Sequence, residues 1–560
     1  MTNPALLRQV ADWIADDPDA GDAAQLQALL TAAQAGDQSA LAELGDRFAG
    51  PLAFGTAGLR GPLRAGPNGM NTAVVRRAAA GLAAQLTASG HAGGIVVIGY
   101  DGRHGSRSFA EDSAAILAAA GFDARLLPRL LPTPVLAFAV NHFGAVAGVM
   151  VTASHNPPQD NGYKVYAGDG AQIVPPMDAE IEAAIRAVES VRAIRLASGY
   201  QVLDESVVDA YVAAVAKLVR PDSPRELDVV HTALHGVGAP VVRAVFAAAG
   251  FGAPSEVGEQ AEPDPDFSTV SFPNPEEPGA MDLALALAGR EQADLIIAND
   301  PDADRCAVGV RFPAVGDRPA GWRMLRGDEL GVLLADWLLR SGVRGTYATT
   351  IVSSSMLSAM AARQGMGFAE TLTGFKWISR AAPDLVYGYE EALGYAVAPR
   401  LVRDKDGISA ALLVAELAAS LKADGSSIPH RLAELAASYG LHATSQLSWR
   451  VTDLAVITEA MSRLRTAPPG QLLGRPVEVT DLAPEADVLI LRFAGGRVVV
   501  RPSGTEPKCK AYLELVIPVP DGETATDAEG LLAVVGSAER RAEAELAQLG
   551  AEIARAAGMA

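Results

Sequence analysis

The sequence predicts an α/β protein, with three similar α/β domains in tandem between a helical extension and a fourth, α+β domain. The first observation behind this is a strand, helix, glycine, strand rhythm in which Ala-Ala-Ala-Gly-Phe occurs twice, at 118–122 and again at 247–251. The second is length: 560 residues leave room for three to four domains at roughly 150 residues each, every one large enough to bury its own core.

Residues 1–50 read as a helical extension, because Leu6, Val10 and Ile14 recur at spacing four and Leu26, Leu29 and Leu30 continue the stripe. Domain I is placed over 51–225. Its apolar strand Ile95–Ile98, helix Arg107–Ala120, break at Gly121 and strand Ala124–Leu127 form a parallel βαβ unit. Domain II, 226–325, repeats the unit with a strand Val229–His231 and a helix Pro240–Ala249 stopped by Gly250. A weaker third copy, 326–450, has a helix near Asp328–Arg340, a strand Tyr347–Val352 and a restart at Gly365–Phe368. From 451 to 560 the pattern changes to strands near Val488–Phe493, Arg497–Val500 and Ala511–Val516, then a long helix Ala538–Ala557. The stretches Pro221–Pro224 and Pro313–Pro319 are expected as junction loops.

Apolar residues at 49% and charged residues at 20% exclude global disorder. With 66 acidic and 46 basic residues the net charge is −20, which repels nucleic acid and anionic lipid. Any anionic ligand must therefore meet a concentrated positive site. Cys306 and Cys509 make no C-x-x-C motif, and so few cysteines in so long a chain point to a reducing cytoplasm. Met1–Ala20 lacks the apolar core of a signal peptide. The longest stretch free of Asp, Glu, Lys and Arg, Leu130–Gln159, is broken by Pro132, Pro134, Asn141 and His142, so it reads as a buried segment rather than a membrane span.

Three segments carry chemistry. Asn299-Asp300-Pro301-Asp302-Ala303-Asp304-Arg305 follows the buried strand Leu295–Ala298. Alternating carboxylates in an extended chain point the same way, and each pair repels by about 1 kcal/mol even in water, a cost that a cation converts into binding. A calcium loop of the EF-hand type needs Gly and Glu where this chain has Arg305 and Arg311, so three carboxylates completed by a phosphate oxygen suit Mg²⁺ instead. A solvated acidic turn is the alternative.

Thr152-Ala153-Ser154-His155-Asn156-Pro157 ends the strand Ala145–Val151, where open α/β sheets place ligands. Without flanking glycines it is no hydrolase elbow. Pro157 and Pro158 force an extended exit, and Asn161-Gly162 is expected to turn the chain back so that Lys164 lies beside Ser154. In the third segment, Arg501-Pro502-Ser503-Gly504-Thr505-Glu506-Pro507-Lys508, an arginine fork, two hydroxyls and a glycine make a phosphate cradle between two strands. Ordinary turns are the alternative reading for both.

With Gly55-Thr56-Ala57-Gly58-Leu59-Arg60-Gly61 upstream and Gly388-Tyr389-Glu390-Glu391-Ala392 in between, these segments form an ordered set that resembles the α-D-phosphohexomutase superfamily over nearly the whole chain after residue 50. The Glu-Glu-Ala loop, the Asp404-Lys405-Asp406-Gly407 run and the N-terminal extension look most like its phosphoglucomutase/phosphopentomutase branch. The resemblance implies three α/β domains with mixed sheets and an α+β domain around a central cleft. By the same likeness, Ser154 carries a phosphoryl group and, with Asp300, Asp302 and Asp304, holds Mg²⁺. Arg60, Lys164, His155, Arg305 and Lys405 would serve the transfer. Gly374, Lys376, Glu390 and Ala392 would face the sugar, while Arg501, Ser503, Gly504, Thr505 and Lys508 grip its non-reacting phosphate.

The activity so implied is the interconversion of glucose 1-phosphate and glucose 6-phosphate through glucose 1,6-bisphosphate, with pentose and then mannose phosphates as alternatives. Lysine is a poor base at its reference pKa of about 10.4, so Lys164 is expected to be depressed by Arg60, Arg305 and the metal. A small-molecule enzyme of this kind, in the cytoplasm, is expected as a monomer or small homo-oligomer. A serine- and metal-dependent phosphatase and an inactive sugar-phosphate binder are the competing classes. The phosphate cradle argues against the first and the intact Ser154, Lys164 and aspartates against the second. Gly55, Gly58 and Gly61 do not follow a strand, which removes a dinucleotide loop. His231 and His235 read as core or hinge residues, and Arg103 as a brace of the first domain.

Overall fold

The computed structural model describes residues 4–55, 58–316, 318–451, 453–503, 508–519 and 528–559. The chain forms two compact units, Met1–Val308 with Gly394–Glu416, and Gly309–Leu393 with Leu417–Ala560.

The first unit begins with helices Pro4–Asp16, Ala20–Gln34 and Gln38–Arg47. Asp19 and Asp37 cap the second and third by accepting from the backbone N–H groups that a helix start leaves unpaired. Val10, Leu26, Leu30 and Leu44 fill the small core between them. Asp16 then docks the extension on the next domain, accepting from the Ser190 hydroxyl at 2.5 Å, the Val191 N–H at 2.8 Å and Arg77 at 3.2 Å.

A six-stranded mixed sheet follows: β1 (Leu59–Pro62), β2 (Ile95–Tyr100), β3 (Asp123–Leu126), β4 (Ala147–Val151), β5 (Asp160–Ala167) and β6 (Gln201–Val202), in the order β1-β5-β4-β2-β3-β6. β2, β3, β4 and β6 run parallel, as βαβ crossovers require, while β5 is antiparallel to both β4 and β1. Every residue of β4 is buried, so its C-terminal end delivers Ser154 from a fixed strand. The same unit contains β7 (Val229–Thr232), β8 (Ser255–Glu256) and β9 (Leu295–Ala298), with β7 parallel to both of its partners.

The chain passes to the second unit along β10 (Ala307–Phe312), which forms an antiparallel hairpin with β11 (Gly321–Met324). The prolines at 313 and 319 lie in the connection of this hairpin, across which Gly309 pairs with Met324. β12 (Thr346–Thr350) is flanked in parallel by β13 (Gly367–Thr371) and β14 (Leu385–Glu390). β15 (Gly394–Ala396) and the start of the helix Gly407–Ala423 return to the first unit.

The last domain holds β16 (Leu441–Arg450), the small hairpin β17 (Gln471–Leu472) and β18 (Arg475–Pro476), then β19 (Glu478–Asp481), β20 (Leu489–Phe493), β21 (Gly496–Pro502) and β22 (Lys508–Ile517). Its main sheet is antiparallel in the order β16-β22-β21-β20-β19. The terminal helix covers it and begins at Ala528, ten residues before the expected start. Both cysteines are free and buried. Among the described residues, no helix is long and apolar enough to cross a membrane.

Candidate active site

In the first unit, Ser154 follows β4 with φ 51°, a left-handed backbone that is uncommon for a residue with a Cβ. Arg103 holds the loop in this shape. Its buried guanidinium donates to the carbonyls of Ser154 at 2.6 Å, Asn156 at 2.5 Å, Pro157 at 2.8 Å and Asp160 at 3.1 Å. This is the bracing role anticipated for Arg103, aimed at the serine loop itself. The Ser154 hydroxyl donates to Asp300 Oδ2 at 2.6 Å and lies 3.3 Å from His155 Nδ1.

Asp300, Asp302 and Asp304 follow β9 and offer oxygens that all lie within 4.8 Å of one another. Their convergence comes from a turn rather than from an extended chain: Ala303 is left-handed at φ 52°, and its N–H bonds the Asp300 carbonyl at 2.8 Å. Thr133 secures the turn by donating its N–H to the Asp302 carbonyl at 2.9 Å and its hydroxyl to Oδ2 at 2.7 Å. Gly407 lets the following chain press close, since a Cβ there would sit 2.1 Å from the Arg305 carbonyl. His231 contributes from β7, its Nε2 being 3.0 Å from Asn299 Oδ1 while Asn299 Nδ2 donates to the Arg305 carbonyl at 2.7 Å.

Cations surround the carboxylates. Lys164 donates to Asp302 at 2.8 Å and Asp304 at 3.1 Å, and Lys405 lies 3.3 Å from Asp304. The Arg305 Nε stands 3.9 Å from Asp300 and 3.8 Å from Asp304. Arg60 donates to Asn156 Oδ1 at 3.0 Å. Burial works against a charged Asp304, but Lys164, Lys405 and Arg305 hold its carboxyl well below the usual range. Burial and the neighbouring Asp304 instead push Asp302 up. Burial, with Arg305 and Arg60 beside it, pushes the His155 imidazole well below the ordinary histidine range.

Two sequence expectations change here. Burial opposes the charge on Lys164, but Asp302 and Asp304 outweigh it and raise the ammonium above its ordinary range, where a depressed lysine had been expected. Asn161-Gly162 is not a turn: both residues lie in β5, opposite Gly61 and Arg60 of β1. Gly162 is needed because a Cβ would meet the Thr152 carbonyl at 2.5 Å. Lys164 accordingly pairs with Met150 across the sheet and reaches the serine's neighbourhood through the shared aspartates.

A divalent cation fits this donor set. Asp302 Oδ1 and Asp304 Oδ1 are buried oxygens without a hydrogen-bond partner, beside an Asp300 carboxylate already turned to Ser154. Hard monodentate oxygens in a compact group suit Mg²⁺.

In the second unit, Glu390 ends β14 and stands half-buried beside Ala392. Glu391 turns the other way, its Oε2 accepting from Ser353 at 3.0 Å and Thr350 at 3.3 Å. Burial, Glu390 and Asp328 push its carboxyl up to about 7. Gly374, at φ 112°, precedes a one-turn helix in which Lys376 places its Nζ 4.8 Å from the Trp377 ring centre. Arg501 lies near the end of β21 and Ser503 just beyond it, where the Ser503 N–H bonds the Lys508 carbonyl at 2.8 Å. Gly504 and Thr505 lie outside the described residues, as do Thr56 and Ala57 of the first glycine motif. Thr133 carried no recognisable signal in the sequence, since it acts only on a loop 169 residues further along the chain.

A phosphomutase is the class this arrangement and the comparisons define. Four family models match in chain order: phosphoglucomutase/phosphomannomutase α/β/α domain I over 51–192, domain II over 209–311, domain III over 326–439 and the C-terminal domain over 450–518. A Haemophilus influenzae protein named "Probable phosphomannomutase" is 45% identical, across 83% of this chain and 96% of its own. The human phosphopentomutase is 35% identical, across 85% and 87%, and a Staphylococcus epidermidis phosphoglucomutase 34%, across 83% and 90%. In fold, the open form of the Paramecium phosphoglucomutase pp63/parafusin superposes with a TM-score of 0.67 at 19% identity, covering 90% of this chain and 96% of that one. The chain belongs to the phosphoglucomutase/phosphomannomutase family, whose members are Mg²⁺-dependent phosphotransferases of the isomerase class.

Proposed function

We propose that the protein interconverts glucose 1-phosphate and glucose 6-phosphate through a phosphoserine at Ser154 and a glucose 1,6-bisphosphate intermediate. The observation that carries this reading is the Ser154 hydroxyl bonded at 2.6 Å to Asp300, within a buried cluster whose other two carboxylates each keep an oxygen that accepts no hydrogen bond. Asp300, Asp302, Asp304 and the phosphoserine hold Mg²⁺, which when bound neutralises charge on the transferring oxygens.

In the first transfer the phosphorus–Oγ bond of phosphoserine breaks as a bond forms from phosphorus to a sugar hydroxyl oxygen. The hydroxyl proton leaves to a base and Ser154 Oγ takes up a proton, so a free Ser154 hydroxyl and a bisphosphate result. The bisphosphate turns over and its other phosphate returns to Ser154 by the reverse exchange. His155, held neutral and 3.3 Å from Oγ, can accept a proton there. Lys164, held charged between Asp302 and Asp304, instead acts as a proton donor and a countercharge. Arg60 and Arg305 face phosphate oxygens, and Lys405 secures Asp304. Gly374, Lys376 and Glu390 meet the sugar, and Arg501, Ser503 and Lys508 its other phosphate.

A second reading, turnover of ribose or deoxyribose 1-phosphate, is favoured by Ala392. The superfamily resemblance implies a serine at this place in members selective for glucose phosphates, and a methyl group discriminates between hydroxyl patterns only weakly. The human relative's name, phosphopentomutase, points the same way. The test is intact-mass and peptide mapping of the purified protein, which should find one phosphoryl group on Ser154, together with an assay of sugar 1-phosphates scored for isomerised product and for free phosphate. Ser154→Ala should carry no phosphoryl group and turn nothing over. Wild-type rates in that variant, or free phosphate as the main product, would overturn the proposal.

A further inference from the structure

We propose that Arg497 is a positioning residue: by donating to the Ser353 carbonyl, it holds the strand that carries Arg501 in register with the Glu390 loop. The inference rests on the mutase reading for what the two ends bind, and on the geometry of the second unit for the connection between them. Arg497 lies near the start of β21 and Arg501 near its end. Four residues of paired strand make a stiff lever of about 13 Å. β20 and β22 hydrogen-bond β21 on both sides, so fixing one end fixes the other.

The Arg497 guanidinium is buried and spans three elements. It donates to Glu514 at 2.7 Å, to Glu370 at 3.0 Å and to the Ser353 carbonyl. Ser353 is also tied to the sugar loop, its hydroxyl donating to Glu391 Oε2 at 3.0 Å and accepting from the Glu391 N–H at 3.2 Å. One residue therefore meets the phosphate-binding strand through its carbonyl and the sugar-binding loop through its hydroxyl. Glu514 completes the joint by accepting from Ser354 Oγ at 3.1 Å and the Ser355 N–H at 2.7 Å, which fixes the turn that presents Ser353. Ile351 and Val352 of that turn pack with Val499 and Tyr512 in one apolar cluster.

The far ends meet again at Tyr512. Burial pushes its phenol up, Glu391 and Glu390 add to that, and Arg501 opposes it, so the charges of both loops are felt at this one side chain. Only a planar fork serves three acceptors on different elements, so the site asks for arginine rather than for any cation. A buried ion cluster is an expensive way to join two domains, and an apolar joint would be as stable; what the cluster adds is a single register.

The experiment uses the full-length phosphorylated enzyme as wild type, Arg497→Lys, Arg497→Met, Arg501→Met and the Arg497→Met/Arg501→Met double variant. Calorimetry measures binding of the tightest sugar phosphate of the panel, a coupled assay gives kcat and KM, and mass spectrometry gives Ser154 phosphorylation. Arg497→Met should weaken binding and raise KM by at least about tenfold, with kcat changed less and phosphorylation unchanged. The double variant should bind no more weakly than Arg501→Met alone, because one residue acts through the other. Arg497→Lys should fall between wild type and Arg497→Met, since an ammonium can face Glu514 but cannot span all three acceptors. Should thermal melts show Arg497→Met unfolded, Arg497→Lys and its double variant with Arg501→Met decide by the same criteria. Additive losses, or binding within about twofold of wild type in a folded variant, would overturn the proposal. A wild type that binds the sugar phosphate without converting it would refute the mutase reading and leave the positioning test intact.

Discussion

Ser154, Lys164, Lys405 and the three aspartates of the first unit are each nearly sealed from solvent, whereas Glu390, Ala392, Arg501 and Lys508 of the second stand half-exposed at the ends of strands. The first group is cross-linked by charge: Asp304 alone meets Lys164 and Lys405 and stands close to Arg305. The second is supported from behind, by Ser353, Thr350 and Arg497, while its outer atoms stay accessible. Groups that break a phosphorus–oxygen bond need their geometry fixed to fractions of an ångström, and buried ion clusters supply that rigidity. Groups that choose among sugars need access and tolerate slower, looser contacts.

The largest effect that would test this contrast is Asp302→Asn. It removes a charge from the cluster while the amide can still accept from Thr133, so the fold should survive. Turnover should fall by about 4 kcal/mol or more of transition-state stabilisation, on the order of a thousandfold in kcat/KM. Circular dichroism should match wild type, and excess chelator should silence the wild-type enzyme comparably. Full activity in chelator would remove the metal from the account and with it the reason for the cluster.

A smaller effect is expected on the accessible side. Ala392→Ser adds a hydroxyl to the sugar loop and should shift the ratio of kcat/KM for glucose 1-phosphate over ribose 1-phosphate toward the hexose by about tenfold, some 1.4 kcal/mol. An unchanged ratio would mean that selectivity lies elsewhere than in the loop.

The smallest concerns Glu391, raised to about 7 from an ordinary value of 4.5. As pH rises, the unfolded chain loses this proton first, so the folded state binds more protons and loses stability between those two values, with a constant deficit above them. Glu391→Gln cannot ionise. Its melting temperature should follow wild type below pH 4.5 and exceed it by a few degrees at pH 8. Burial raises the Glu391 carboxyl first, and the negative charges of Glu390 and Asp328 add to the rise. Parallel pH profiles for the two proteins would show that Glu391 ionises freely.

The aspartate run, the Ser154 loop and the βαβ rhythm were legible because each is a local pattern: a buried strand followed by polar residues of fixed spacing. The chain reversal at Asn161-Gly162 was misread for the same reason. A dipeptide signal favours a turn, but β1 supplies a strand partner about a hundred residues earlier, and tertiary pairing overrides it. The aspartates were grouped correctly for the wrong cause, since strand alternation was expected and a left-handed Ala303 does the work. The charge on Lys164 escaped the sequence entirely. Its neighbours Asp302 and Asp304 come from another domain, and no spacing reports that they reach its ammonium at 2.8 and 3.1 Å.

The two cysteines have a practical consequence. Cys306 and Cys509 are fully buried, and burial pushes the first thiol up strongly and the second up to about 11, so neither offers thiolate to solvent in the native state. Maleimide reagents will therefore pass over the folded protein. A cysteine introduced on either unit can carry a fluorophore without first stripping the natural thiols, and slow labelling of the unaltered chain becomes a direct clock for its unfolding.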